Sequence, residues 1–140
     1  MSRNEWCSVG HAGPCDGRQR ALCRYKRPAL RSKTSAERKA EPIYSGAFMY
    51  FPDALAAVSR LSKAGNDKHN PGEPLHWARG KSTDQMDCLA RHILTPEAID
   101  PETNEPELVA AVWRGLAQLQ LLEEKRLAAA GIRPYSGIVS

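Results

Sequence analysis

Residues 63–92, KAGNDKHNPGEPLHWARGKSTDQMDCLARH, decide the fold because they place a polar turn between one predicted helix and the next. Pro71 and Gly72 are typical of a turn, since proline restricts its own φ and glycine tolerates a positive one. Ser82, followed three residues later by Gln85, is a capping-box pattern that predicts the start of the second helix. The chain should therefore reverse direction between two helices here.

On either side of this turn the sequence predicts three helices in all, over residues 52–64, 82–94 and 107–130. Pro52 suits the first turn of the first helix, and Gly65-Asn66 should end it. The last helix contains an apolar stripe that is too broad for two short partner helices to cover. Its residues are Val109, Val112, Leu116, Leu119 and Leu122.

The fold class predicted from these features is all-α. Few aromatic residues and many Ala and Leu also favour packed helices over a sheet. We expect a helical bundle that is completed by oligomerisation, with one or more further copies of the chain covering the last helix. Trp113, which lies inside that helix, is expected in the core.

Positive charge is concentrated at the N-terminus. Residues 1–39 hold ten Lys or Arg against three Asp or Glu, although the whole chain is only +4. Such an arm could bind nucleic acid, lie over a phosphate site, or only keep the protein soluble. We expect a basic arm over residues 1–40, an all-α domain over 41–130 and a C-terminal tail over 131–140.

The targeting signals of membrane and secreted proteins are missing from the sequence. No apolar run approaches the roughly 20 residues that cross a bilayer, and the start MSRNEWCSVG has no apolar signal core. A cytosolic protein without a membrane partner is expected. The cysteines should then be reduced thiols or metal ligands and not disulfides.

An irregular Cys/His set lies in the basic arm. Cys7, His11, Cys15 and Cys23 could wrap one tetrahedral structural Zn²⁺. The spacing C-x3-H-x3-C-x7-C matches no standard zinc finger, so unligated thiols in a loose tail are the alternative.

Two carboxylates on the second predicted helix are candidate metal ligands. Asp84 and Asp87 are three residues apart and so share one helix face, with Arg91 one turn further along the same side. Such a pair could hold Mg²⁺ or Mn²⁺, which prefer oxygen ligands and leave positions for phosphate oxygens. The alternative is a solvated charged face.

Several motifs together resemble a known family. They keep a consistent order and spacing over about residues 41–124, although each one alone is weak. In chain order they are Tyr44-Ser45-Gly46, Tyr50-Phe51-Pro52-Asp53-Ala54-Leu55, NDKHNPGEPLHW from Asn66 to Trp77, Lys81-Ser82, Asp84, Asp87, Arg91-His92 and Val112-Trp113-Arg114. This pattern resembles the phage dATP/dGTP diphosphohydrolase family, which is similar to the all-α MazG-type nucleotide pyrophosphohydrolases.

The resemblance implies hydrolysis of a deoxynucleoside triphosphate, dGTP or dATP, to the monophosphate and pyrophosphate with Mg²⁺ or Mn²⁺, inside a phage-infected host cytoplasm. The implied metal ligands are Asp84, Asp87, Asp67 and Glu107. Asp67 would stand in for a first-helix glutamate, because Ala57 occupies a position where relatives carry one. Glu107 would replace a histidine that is usual near the start of the last helix.

The chemistry of phosphoanhydride cleavage assigns the other polar residues. It needs positive charge on the phosphates and a positioned water. Catalytic roles are expected for Lys81, Arg91 and His92, beside the two aspartates, although His92 could equally be a structural group at the helix end. Substrate-binding roles are expected for Asn66, His69, Asn70, Trp77, Lys63 and Arg114. The alternatives are a plain surface lysine at Lys63 and a surface salt bridge at Arg114. Trp77 would stack on the purine.

Two rival functions remain open from the sequence. One is a nucleic-acid-binding accessory protein that works through a zinc-stapled basic arm. The other is a non-catalytic relative that binds nucleotide or assembles structurally, as Ala57 and Glu107 suggest. The sequence contains no P-loop and no dinucleotide-binding fingerprint.

Overall fold

The structure, a computed structural model, describes residues 34–135, and these residues are mostly helical with no strand. The all-α prediction is confirmed. A single isolated bridge joins Ile99 to Pro106. The four α-helices of the described residues are α1 (Ser35–Lys39), α2 (Pro52–His69), α3 (Gln85–Ile93) and α4 (Glu107–Ala129). A π-helix lies at Tyr44–Phe48 and a 3₁₀ turn at Arg79–Lys81.

Helix α2 begins at Pro52 as predicted but continues through Gly65 and Asn66 to His69, so the predicted end is wrong. Asn66 does not turn its side chain onto its own backbone. Its Nδ2 donates to the Glu73 carbonyl (3.1 Å), and its Oδ1 accepts from the His76 backbone N–H (3.3 Å). These bonds occupy the Asn66 side chain with groups seven and ten residues further on, and they anchor the loop that follows the helix.

Helix α3 begins at Gln85, three residues later than the capping-box pattern predicts. The capping box does not form, because both of its side chains bind elsewhere. Ser82 Oγ donates to Asp84 Oδ1 (2.7 Å), and Gln85 Nε2 donates to the Ser82 carbonyl (3.2 Å). Asp84 is therefore the N-cap residue of α3, and it makes no side-chain cap bond.

Helix α4 has nearly the predicted bounds and ends in a Schellman motif. Gly131 adopts φ +68°, and its N–H donates to the Ala128 carbonyl (3.0 Å). The Ile132 N–H donates to the Leu127 carbonyl (2.8 Å). Glycine reaches this left-handed conformation without a Cβ penalty, which explains why the helix stops there.

Helices α3 and α4 pack against each other, and α2 packs on α4 as well. The α3–α4 pair is antiparallel, because Gln85 at the start of α3 meets Arg114 while His92 near its end meets Glu107. The loop between them is tied to α2 by the ion pairs Arg60–Glu105 and Lys68–Glu102. These contacts enclose a cavity between the three helices and that loop.

The buried apolar core of the described residues is small and consists of Cys88, Ala111, Ala117 and Leu127. Much of the apolar stripe of α4 lies outside it. Val112, Leu116, Leu119 and Leu122 are 42–54% exposed. Residues 34–135 therefore cover this face only in part, and its coverage by another copy stays a prediction.

No helix within residues 34–135 has the length and apolar character needed to cross a bilayer. The cysteine and histidine residues of the predicted zinc set, Cys7, His11, Cys15 and Cys23, lie outside the described part of the chain. The zinc site therefore stays a prediction.

Candidate active site

A cavity of about 540 Å³ lies between α2, α3, α4 and the loop that joins the last two. This volume falls in the range of about 300–1,000 Å³ that small-molecule sites occupy. Seven of the residues that the sequence nominated line it: Asn66, His69, Asn70, Trp77, Lys81, His92 and Arg114. The other nominated residues do not: Lys63, Asp67, Asp84, Asp87, Arg91 and Glu107.

Two cationic side chains, Lys81 and Arg114, define what we call the cationic end of the cavity. Lys81 Nζ donates to Asn70 Oδ1 (3.2 Å) at the end of α2. Arg114 Nη1 donates to Ser82 Oγ (3.2 Å) and to Gln85 Oε1 (3.0 Å). Each cation is held only by neutral groups in these bonds, so neither makes a direct ion pair there. An anionic group entering the cavity would be attracted to this end.

Asp84 is linked to the cationic end through the hydroxyl group of Ser82. Ser82 Oγ, which accepts from Arg114, donates to Asp84 Oδ1, and Arg91 Nη2 donates to Asp84 Oδ2 (3.4 Å). Hydrogen bonds from Ser82, Cys88 and Arg91 lower the pKa of Asp84 to about 2. Because these bonds favour the charged form, Asp84 is a carboxylate throughout the neutral pH range.

Two tryptophans line the cavity beside the cationic end. Trp77 and Trp113 meet edge to face, with ring centroids 5.9 Å apart and planes at 80°. The Arg79 guanidinium lies 4.3 Å from the Trp77 centroid, and Arg114 lies 5.3 Å from that of Trp113. Such cation–π contacts restrain the two rings.

The expectation that Trp113 packs in the core is wrong, because this side chain is half-buried and lines the cavity. The sequence contained an indication that Trp113 is not a core residue. Ala110, Trp113 and Arg114 are spaced so that they share one helix face, and Arg114 makes that face polar. Sequence reasoning also missed Gln85, which is buried and holds Arg114.

A family model described as "dATP/dGTP diphosphohydrolase, N-terminal" matches residues 32–130. The match spans more than half of the 140 residues. The chain belongs to the dATP/dGTP diphosphohydrolase family. The match confirms the resemblance drawn from the sequence motifs, and the protein is an enzyme of the diphosphohydrolase type. Neither the curated proteins nor the solved structures provide a match.

In this diphosphohydrolase the four nominated metal ligands do not form one cluster. Within residues 34–135, no three His, Cys, Asp or Glu side chains are grouped so that they could share a metal ion. Asp67 is exposed and paired with Lys63 Nζ (2.6 Å), and Glu107 is paired with His92. Asp84 and Asp87 remain, both exposed and three residues apart at the start of α3.

These two carboxylates fit part of a hard-cation site. Asp84 is ionised and offers oxygen atoms, the ligand type that Mg²⁺ and Mn²⁺ prefer. A Mg²⁺ ion commonly binds through one or two carboxylates and completes its shell with water and substrate phosphate. Asp84 and Asp87 could therefore hold a cation whose other ligands come from the substrate.

Proposed function

We propose that this protein hydrolyses a purine deoxynucleoside triphosphate, dGTP with dATP as a second substrate, to the monophosphate and pyrophosphate. The observation that carries the proposal is the cavity in which the cationic pair Lys81 and Arg114 adjoins the aromatic pair Trp77 and Trp113. A nucleotide offers one group for each pair, an anionic phosphate chain and a flat base.

The cationic end would bind the phosphate chain. Phosphoryl transfer depends on positioning and on positive charge that is present before the reaction, so fixed cations at the phosphates lower the barrier. Arg114 is held by Ser82 and Gln85, which reduces the cost of ordering it when substrate binds. Lys81 is similarly held by Asn70.

The tryptophan pair would bind the base. Stacking on an aromatic ring contributes roughly 1–3 kcal/mol per base in other nucleotide-binding sites. Trp77 is the stacking residue in this proposal, and Trp113 lies beside it in an edge-to-face arrangement. Purines offer a larger stacking surface than pyrimidines, which favours dGTP and dATP.

Asp84 and Asp87 would hold Mg²⁺ or Mn²⁺ at the rim of the cationic end. Bound there, the cation would neutralise phosphate oxygens during the reaction. The protein's own contribution is to keep Asp84 ionised and oriented through Ser82 and Arg91. The family resemblance suggests a role in phage nucleotide metabolism, in the cytoplasm of the infected host.

The assembly is also proposed to be a homo-oligomer, a dimer or tetramer. The exposed part of the α4 stripe is one reason. A second apolar surface lies in residues 43–51, where Ile43, Tyr44, Phe48, Met49, Tyr50 and Phe51 are 50–70% exposed. Exposed apolar areas of this extent are typical of protein–protein interfaces.

A product analysis tests the proposed activity. Purified protein is incubated with each dNTP and each NTP in Mg²⁺ or Mn²⁺, and the products are separated by ion exchange. We expect dGMP and dAMP together with pyrophosphate, and little turnover of pyrimidine nucleotides. Release of nucleoside with triphosphate would assign a different reaction, and absence of turnover with every substrate would refute the proposal. An Asp84→Asn chain is the control for contaminating phosphatases.

A further inference from the structure

His92 and Glu107 form a hydrogen-bonded pair that joins the end of α3 to the first turn of α4. His92 Nδ1 lies 2.5 Å from Glu107 Oε2, and the two side chains are 30% and 24% exposed. His92 lines the cavity, whereas Glu107 does not. Glu107 therefore contacts the imidazole of a cavity-lining residue without lining the cavity itself.

The pair determines which ring nitrogen carries a proton. An ionised carboxylate only accepts hydrogen bonds, so the Nδ1 that faces Glu107 must donate. In a neutral imidazole the other nitrogen, Nε2, then has a free lone pair. Within residues 34–135, the His92 ring makes one hydrogen bond, to Glu107. Among the described residues, the other ring nitrogen of this cavity-lining side chain is thus an acceptor without a protein partner.

The position of His92 in the cavity suggests which group its Nε2 would contact. His92 lies beside Glu107, whereas the cationic end contains Arg114, seven residues further along α4. At 1.5 Å per residue the two ends are about 10 Å apart, comparable with the length of a nucleotide. A phosphate chain at the cationic end would leave its sugar or a water near His92.

We propose that Glu107 is a positioning residue, which holds His92 so that Nε2 accepts a hydrogen bond from an O–H group in the cavity. That group is either the 3′-hydroxyl of the sugar or a water. The proposal rests on the proposed function for the identity of the ligand, and it gives Glu107 a different role from the metal ligation that the resemblance implies. Carboxylates commonly orient and polarise histidines in this way.

NMR of the free protein tests the pair without any substrate. The chain is labelled with ¹⁵N-histidine, and the His92 signals are assigned by their loss in a His92→Gln variant. Spectra are taken at pH 8, above the ordinary histidine pKa of about 6.5. We expect the Nδ1–H tautomer at His92, and in Glu107→Ala a shift to the Nε2–H form that free histidine prefers. The matched control is Glu123→Ala, the same change on the same helix, where the glutamate pairs with Arg126.

Two NMR results would overturn the proposal: an Nε2–H tautomer in the unmodified protein, or a tautomer that Glu107→Ala leaves unchanged. Because no substrate is needed, these results stand apart from the proposed activity. A protein that hydrolysed no dNTP would refute the proposed function, while the NMR result would still decide whether Glu107 positions His92.

Kinetics separate positioning from metal ligation and identify the O–H group. With dGTP, Glu107→Ala should lower kcat/KM at least about tenfold, the lower range for a displaced hydrogen-bonding or proton-accepting group. The Mg²⁺ concentration for half-maximal rate should not change. If the loss disappears with 2′,3′-dideoxyGTP, the partner is the sugar hydroxyl, and if it persists, the partner is water. Activity that saturating Mg²⁺ restores fully would make Glu107 a metal ligand and overturn the proposal.

Discussion

Arg79 and Glu124 form a two-point ion pair across 45 residues of sequence, with Nη1–Oε2 at 2.6 Å and Nη2–Oε1 at 2.9 Å. Glu124 is buried on α4, and Gln120 Nε2 also donates to it (2.8 Å). The same guanidinium lies over the Trp77 ring. The pair therefore links the core of α4 to the aromatic wall of the cavity.

Breaking this pair should destabilise the fold. We expect Glu124→Gln to lower the free energy of unfolding by about 3 kcal/mol, because it leaves the Arg79 charge without its ionic partner in a largely buried site. Urea unfolding at a fixed protein concentration measures the change. The matched control, Glu123→Gln, disrupts the exposed pair with Arg126 and should cost under about 1 kcal/mol. Equal losses in the two variants would contradict the importance of the buried pair.

Ser82 should control the pKa of Asp84. Its hydrogen bond is the largest cause of the lowered value of about 2, so Ser82→Ala should raise the pKa towards the ordinary 3.8. Because the folded pKa is depressed, the stability that Asp84 contributes is present above pH 3.8 and is lost as pH falls towards 2. An NMR titration of the carboxyl carbon measures the shift. Thr83→Ala, a change at the exposed neighbour, is the control, and an unchanged Asp84 pKa in Ser82→Ala would refute the assignment.

Asp84→Asn and Asp87→Asn should each lower turnover by orders of magnitude while the fold stays intact. Both carboxylates are exposed, so their removal takes a ligand from the cation and nothing from the core. Steady-state rates at saturating Mg²⁺ and circular dichroism measure the two effects. Asp53→Asn, at an exposed carboxylate on α2, should leave the rate near normal. Near-normal activity of either α3 variant would show that these aspartates do not hold the metal.

The proposed assembly should be needed for activity. Dilution should lower specific activity once the subunits separate, and Leu119→Gln on the exposed stripe should shift sedimentation towards the monomer. Lys125→Gln, a change at an exposed polar residue of the same helix, should leave the sedimentation unchanged. A monomer that retains full activity would contradict the assembly and its explanation of the stripe.

The Cys7, His11, Cys15 and Cys23 set should bind one zinc per chain, with its thiols protected from alkylation until chelator is added. Elemental analysis of protein prepared without chelator measures the zinc. Single Cys→Ser variants at positions 7 and 15 should lose the metal, whereas Cys88→Ser should keep it, since Cys88 is buried on α3 in the helical domain. Protein without zinc would rule out the site.

The sequence alone determined the features that depend on neighbouring residues. The bounds of α4 follow from Pro106, from the periodic apolar stripe and from Gly131, and all of these act within one or two helical turns. The family follows from motifs whose order and spacing are a property of the chain. The cavity residues between Asn66 and Lys81 were found in the same way, because the end of α2 and the segment that follows it are close together in sequence.

Only the tertiary structure decided which side chains meet across the helices. The end of α2 could not be predicted because the Asn66 side chain hydrogen-bonds to the loop that follows. The start of α3 could not be predicted because Ser82 hydrogen-bonds to Asp84 and Arg114. The His92–Glu107 and Arg79–Glu124 pairs likewise depend on how the helices pack. Local sequence patterns reflect interactions between residues within one or two helical turns, whereas packing determines contacts between residues far apart in sequence. Packing therefore placed Trp113 in the cavity and left Asp84 at its rim.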